Sequence, residues 1–553
     1  HITPPAPMPR GGGPRGIPRG GKGRGGRRGA REQPKPSDDG PAGPEAVLWE
    51  AEAQLERGER KLRDKEPAKA RAMLTQAVEM LEHAGLVNTP RGCLLFAAAT
   101  GSLLQIDADE VRLAGWARRG ASLPAAPAPS GPEARISALE RCGEALEAGF
   151  AAASGAGDLA AAEASHYCDT RAQVCALLSE EREAEAERLR ASAAHGGAAD
   201  AAAAEAAAKA AVDASGRALE LWERSGSLLL GSPPETEGSL PDDWEEAAWE
   251  PEPDVDLLAS LASACLRHGR LLLEAAARAA ARGKAAPAAA ARAAGEAAVG
   301  RSLSLHEEVC ARSDSTRGDA LDSVLRDWAQ ALWDAASLAL AHGHASALAG
   351  SAKELLARAA SKAADSIRLS AVPLPSSCCL AGDILAAAAE LERDLESGGG
   401  GGGGESAAAL YAKAATDGYE RGLRVSARDL RCGIGAADAW LSAARLQRQR
   451  GEADAAASLG KAIGLFDALL RQPESEWIRQ GLASNELGEA RYNACCALAL
   501  ASTPAGGRIG ECRASLEALV TAGDATASEL AADDDLAHLR GVEWWPLLSS
   551  GTV

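Results

Sequence analysis

The amino-acid sequence predicts an all-α fold: a right-handed α-solenoid superhelix of antiparallel helix pairs, with a disordered basic arm at the N-terminus. Three observations carry this. From Glu45 onward apolar residues recur at helical spacing, and the alternation of β-branched residues that marks strands is absent. Aromatic residues make up only 3% of the chain against 46% apolar overall, so the core is built mostly from Ala and Leu. Small side chains let helix axes approach closely, whereas a sandwich or barrel calls for the residues that are missing here.

Taken in order, residues 1–44 are Gly, Pro and Arg with nothing to bury, the composition of an unfolded arm. Helix pairs are expected at 45–63 with 66–84, 90–105 with 108–122 and 133–153 with 158–193, joined by Gly-, Pro- or Asp-containing turns. A lone helix at 203–225 closes this N-terminal region, 45–231. The Ala-rich stretch 194–214 reads either as a helix extension or as an exposed insertion. Segment 232–256 carries ten Asp/Glu, no Lys or Arg, and Trp244 and Trp249, so it is expected to be an acidic loop. Its Trp residues either dock a partner or tuck into their own solenoid. The central region, 257–397, takes pairs at 255–282 with 288–312 and 317–342 with 344–369, then a helix at 378–397. Seven glycines at 398–404 form a flexible loop. The C-terminal repeat region, 405–532, follows with helices at 405–424, 427–450 with 452–471, and 476–502 with 508–522. Residues 533–553 form a cap with a short helix or two.

Net charge is −19, unevenly placed. Nine Lys/Arg and one acid, Glu32, give residues 1–36 a charge of +8, which leaves −27 for the remainder. A body this acidic repels duplex DNA. The arm differs: Arg10, Arg15, Arg19, Arg24, Arg27 and Arg28 among glycines suit RNA contact through charge and guanidinium stacking. A transit-peptide remnant and a solubilising tail are the alternatives for it. The sequence opens on His1, as a processed, truncated or partial chain would. No run of 18 strongly apolar residues occurs, so no membrane span is expected.

The clearest repeat runs from Ala437 to about Leu470. Trp440 opens its first helix, Ala443 and Ala444 permit close crossing, and Gly451 ends it where a left-handed residue is needed. Ala456, expected at the helix crossing, and Leu459 follow in the second helix. Leu55, Gly58, Leu62, Ala70, Leu74 and Ala77 occupy matching positions near the start, with Gln54 where the Trp would stand. Leu332, Ala335, Ala336, Ala339 and Gly343, with Trp328 one turn earlier, make a third unit. Tyr492 to Cys496 with Cys512, Leu516 and Leu519 make a fourth. These units resemble the 34-residue tetratricopeptide repeat. The closing stretch, with Asp533 to Asp535, Leu536, Leu539, Trp544 and Trp545, is similar to the tail after the last repeat in plastid assembly factors of that family. Physically it reads as a cap or, if left uncovered, as a partner-binding motif.

The resemblance implies a non-enzymatic scaffold that holds a protein partner on a concave face, in assembly or maintenance of a larger complex. It favours a chloroplast setting, with mitochondrion or cytoplasm otherwise. An RNA-associated protein using the arm and a fixed subunit of a large assembly are the rival readings. A clamp for a terminal carboxylate is not expected, because Leu55 and Glu59, and Leu441 and Arg445, stand where its Lys and Asn donors would be.

No nucleophile elbow or Walker-type loop is present, and His342-Gly343-His344 sits at a helix turn without a nearby Cys. No catalytic site, cofactor or metal is therefore expected. The 12 Cys include no C-x-x-C pair, although Cys378–Cys379 and Cys495–Cys496 are adjacent. They are expected to be small buried thiols in a reducing compartment. Most of the 11 Trp are expected in the core. Of Trp328 and Trp333 only one can face it squarely, and the pair Trp544–Trp545 is expected to leave one indole exposed.

Overall fold

The structure is a computed structural model that describes residues 43–64, 66–118, 131–155, 161–194, 198–230, 255–316, 321–342, 352–397, 405–502 and 508–545. The fold is all-α: consecutive helices pack on one another in the manner of a helical-repeat protein, with no strand among the described residues. The arginines of the arm, Trp244 and Trp249, Gly343 and the poly-Gly segment lie outside the described residues. The helices group into two compact units that divide inside α7, between Ala275 and Ala276.

The first unit begins with α1 (Pro44–Arg63) and α2 (Pro67–His83), each opened by a proline whose missing N–H costs a helix start nothing. They cross at Gly58, where a Cβ would stand 2.8 Å from Cγ of Leu74. Leu55, Ala70, Leu74 and Ala77 are buried around that crossing, as expected. The next helix, α3 (Pro90–Arg118), runs unbroken where the sequence predicts a pair at 90–105 and 108–122. The acids that suggest a turn face inward: Arg71 of α2 donates to Asp107 at 2.6 Å and to Glu110 at 2.7 Å, and Ile106 beside them is buried.

Helix α4 (Pro132–Gly155) leads to α5 (Ala161–Ala193) and α6 (Ala198–Leu230), which pack along each other. The stretch at 203–225 is therefore not a lone helix, and residues 198–214 are the start of α6. Ala186, Ala207 and Ala208 are buried together there, so alanine is the contact surface itself. Ser179 donates to the carbonyl of Ala211 at 2.9 Å, and the hydroxyls of Ser165 and Ser225 meet at 2.7 Å. The part of α7 (Val255–Ala281) in this unit is held by Arg267 on Glu180 at 2.6 Å and Arg270 on Glu183 at 2.5 Å.

In the second unit α8 (Ala285–Thr316) contacts α9 (Leu321–His342), which pairs with α10 (Ala352–Leu369). Trp328 of α9 is buried beside Leu332, Ala335, Ala336 and Ala339, while Trp333 is half-buried, the division that their spacing requires. Helix α11 (Pro375–Ser397) packs against a helix of three parts: α12 (Ala407–Lys413), a π-helical turn (Ala414–Tyr419) and α13 (Glu420–Val425). The pair α14 (Leu430–Gln449) and α15 (Ala455–Leu470) follows.

A single helix at 476–502 is not found. The segment divides into α16 (Glu474–Arg479) and α17 (Ser484–Ala501), because Gly481 takes φ +79° and turns the chain. Trp477 of α16 is fully buried. Helix α18 (Ile509–Thr521) packs on α17. The chain then closes with α19 (Ala527–Ala532) and a 3₁₀ turn at Asp534–Leu539. One continuous apolar core runs from Tyr411 to Trp545.

The first helices of successive pairs start at Pro375, Leu430 and Ser484, an interval of 54 to 55 residues where the tetratricopeptide pattern has 34. Ala456 departs from that pattern too. It is exposed, and α15 meets α14 through Leu459, Ala462, Ile463 and Phe466 instead. The longer link after Gly451 rotates α15, so that the small residue of the pattern points outward. Gly451 itself takes φ +69° and ends α14, as expected.

Candidate functional site

The second unit contains a row of polar side chains on its first helices that sequence spacing does not single out. On α14 the residues Asp438, Leu441 and Arg445 recur at helical spacing and share one face. Asp438 accepts from the Asn493 side chain on α17 at 2.9 Å. Arg445 donates to Asp535 of the 3₁₀ turn at 2.6 Å. At the other end of the row, Asp383 of α11 accepts from the Tyr419 hydroxyl at 2.6 Å. Tyr492 donates to Asp533 at 2.7 Å, which joins α17 to the cap.

Glycines make room for this row. A Cβ on Gly382 would lie 2.7 Å from the Tyr419 ring, one on Gly435 would overlap that ring, and one on Gly418 would overlap the backbone of Gly382. The π-helical turn thus seats Tyr419 between α11 and α14, with its hydroxyl on Asp383. Sequence could not reveal this socket, since its three glycines come from three different helical segments.

The electrostatics are unusual for aspartates that keep some access to water. Burial among helices pushes the Asp383 carboxyl up to about 6, against the opposing pull of the Tyr419 hydrogen bond and Arg431. Burial likewise pushes Asp438 up to about 7, although Asn493 and Arg445 favour its charged form. Neither carboxylate has an ion-pair partner among the described residues. The Tyr419 phenol is driven well above its ordinary range by burial and by Asp383. Burial raises Asp535 as well, with Arg445 opposing.

The expected repeat residues otherwise fall where packing needs them. Trp440 is buried, donates its indole N–H to Glu420 at 2.8 Å and carries Lys461 over its ring at 3.7 Å. Ala444 is buried, and Tyr492 is half-buried with its hydroxyl engaged. In the cap, Leu536, Leu539 and Trp545 are buried and Trp544 is half-buried. Asp533 accepts from the Asp535 amide at 2.7 Å, the capping role predicted for that acidic run.

The cysteines depart from expectation at one place. Cys379 of α11 and Cys432 of α14 are joined as a disulfide, with their Cα atoms 5.5 Å apart, rather than standing as free thiols. The other described cysteines are free and, apart from half-buried Cys310, buried.

No nucleophile and base come together productively among the described residues. Ser215 and His268 of the first unit meet at 2.8 Å, but Ser215 is buried and also bonds the Val212 carbonyl at 2.8 Å, so the contact ties α7 to α6. Cys496, Asp533 and Asp535 cluster closely enough to suit a cation, yet Tyr492 and Arg445 already occupy the two carboxylates.

No family model matches the chain, and no curated protein matches it. Among solved structures it is similar to a circular tandem repeat protein with novel repeat topology and enhanced subunit contact surfaces, at 13% identity, with 91% of this chain and 94% of that chain covered. The TM-score is 0.28, too low for the likeness to carry an inference. No helix among the described residues is long and apolar enough to cross a membrane.

Proposed function

We propose that this protein is a non-enzymatic helical-repeat scaffold whose second unit binds a protein partner along the row from Asp383 to Asp535. The single observation behind this reading is that Asp383 and Asp438 are recessed carboxylates held in a rigid frame without a cation of their own. A folded chain keeps desolvated acids at a cost, since burial disfavours their charged form. A partner bearing Lys or Arg would relieve that cost on binding. The acidic balance of the body, −27 outside the arm, favours approach of such a partner. Held this way, a basic segment would be positioned for assembly or maintenance of a larger complex. A plastid setting belongs to the same proposal and is supported only by the resemblance of the C-terminal repeats and tail.

The test is affinity purification from the native host with wild type, the double variant Asp383→Asn/Asp438→Asn, and Glu56→Gln as a surface control. The expected result is a protein that co-elutes with wild type and the control and is lost with the double variant. Equal recovery by all three would remove the row as the binding surface. A second reading, RNA contact through Arg10, Arg15, Arg19, Arg24, Arg27 and Arg28, is favoured by the charge of +8 on residues 1–36. It predicts single-stranded RNA binding that weakens steeply with salt and disappears when residues 1–44 are deleted.

A further inference from the structure

Cys379 and Cys432 differ from the other described cysteines in both reach and surroundings. Cys379 lies on α11, four residues before Asp383, and keeps partial access to solvent; Cys432 lies in the first turn of α14 and is buried. Their Cα separation of 5.5 Å falls in the range a disulfide spans without backbone movement. The reduced state has a place for Cys432 too, because its sulfur lies 3.4 Å from the Pro375 carbonyl, an acceptor that only a thiol can use.

The neighbourhood is basic in a chain that is otherwise acidic. Burial pushes the adjacent Cys378 thiol up while Arg421 and Arg424 pull it down. Arg428, Arg431 and Arg479 line a cleft of about 290 Å³ together with Asp429 and Gln480. Asp429 is grouped with the two sulfurs and caps α14 through the Cys432 amide at 2.9 Å, so the cleft adjoins the cysteine pair. Arg479 is engaged by Glu476 at 2.7 Å, whereas Arg428 and Arg431 have no carboxylate partner among the described residues. Partly exposed cysteines in electropositive surroundings are the ones that react as thiolates.

We propose that Cys379 is a thiol–disulfide exchange site for a small disulfide bearing carboxylates, which Arg428 and Arg431 receive, and that Cys432 is its resolving partner. The Cys379 thiolate attacks one sulfur of the small disulfide, forming a mixed disulfide and releasing one thiolate, which takes up a proton. Cys432, after giving its proton to solvent, attacks the Cys379 sulfur and releases the second thiol. Two protein thiols lose two electrons, and one small disulfide is reduced to two thiols. The bond fixes α11 to α14, the helices that carry Asp383 and Asp438, although the exchange chemistry stands independently of any partner on them.

The experiment uses the whole chain, fully reduced, freed of reductant and exposed to oxidised glutathione. Remaining thiols are then alkylated in denaturant and the digest is read by mass spectrometry. Wild type is expected to lose two alkylatable thiols and yield a Cys379–Cys432 linked peptide, whereas C432A holds glutathione on Cys379. The double variant R428A/R431A is expected to slow the first step roughly tenfold with glutathione disulfide and leave it unchanged with uncharged hydroxyethyl disulfide. Absence of both the link and the Cys379 adduct would overturn the proposal, as would equal slowing with both disulfides. A zinc ion retained by wild type, protecting Cys379 and Cys432 from alkylation and lost from C379S, would overturn it in favour of a metal site.

Discussion

The indole N–H of Trp440 donates to the Glu420 carboxylate at 2.8 Å, across the junction between α14 and α13. The bond makes a residue expected only to fill space also fix where the helix after the π-helical turn must lie. Trp440→Phe should keep most of the burial and lose the hydrogen bond, at about 1–2 kcal/mol. Trp440→Ala should cost about 3–5 kcal/mol. Urea unfolding of both variants, followed at a probe in the second unit, checks the order; equal losses would mean that the bond contributes nothing.

Stability of the second unit should fall as pH rises from about 4 to about 7.5. The folded state raises Asp383 to about 6 and Asp438 to about 7, above their ordinary value of 3.8. In that window the folded chain therefore binds more protons than the unfolded one, and linkage makes stability decline with pH. A tenfold difference in proton affinity between the two states is worth about 1.4 kcal/mol, lessened by the water access that both groups retain. Asp438→Asn, a mimic of the neutral acid, should flatten the dependence and match or exceed wild type at pH 8. A melting temperature that climbs from pH 5 to 7.5, with no change in the variant, would contradict this.

Gly418→Ala is predicted to be among the most damaging small substitutions in the chain. Its added carbon meets the backbone of Gly382, which has no side chain to swing aside. Overpacking of this kind costs about 1–3 kcal/mol or more. It should also draw Tyr419 off Asp383, so the tyrosine should titrate nearer its ordinary range. Gly460→Ala, where an added carbon meets nothing, is the control. Ultraviolet titration of the tyrosines, read alongside urea unfolding, separates the two variants.

Truncation after Thr521 removes Leu530, Leu536, Leu539 and Trp545, all buried against the same core as Trp440. Each buried Leu is worth about 2–4 kcal/mol against Ala, and repeat arrays pass such losses mainly to neighbours. Hydrogen exchange should show protection lost first across α17 and α18, with α1 and α2 unaffected. Unchanged protection there would show that the tail is not a cap.

Much of the fold was legible because helical spacing is local. Leu55, Gly58, Ala70 and Ala77 satisfy the same periodicity in the sequence and in the packed pair. The errors came where a residue type suited two roles. Asp107 and Glu110 read as turn formers, yet they are partners for Arg71, a residue 36 and 39 positions away. Ala456 matched the spacing of a known repeat, but the longer link before it rotated its helix. The polar row left a faint trace: Asp438 sits between Ile434 and Leu441 on an otherwise apolar stripe, and Asp383 follows Leu380 and Ala381. A carboxylate inside an apolar stripe is a signal of burial with a purpose. The pairing of Cys379 with Cys432 left no such trace, since 53 residues separate them and only the folded chain brings them together.

The π-helical turn at Ala414–Tyr419 also speaks to how this protein came to be. A wide turn of that kind holds one residue more than an α-helix would, and one residue corresponds to a rotation of about 100° around the axis. The segment from Ala407 to Val425 has the form of an ancestral straight helix that gained a single codon and absorbed it as a bulge. The gain turned everything after it by more than a quarter circle, which aims Tyr419 at α11 and Glu420 at Trp440. Deleting Thr416 would undo that step, and both contacts would be lost together.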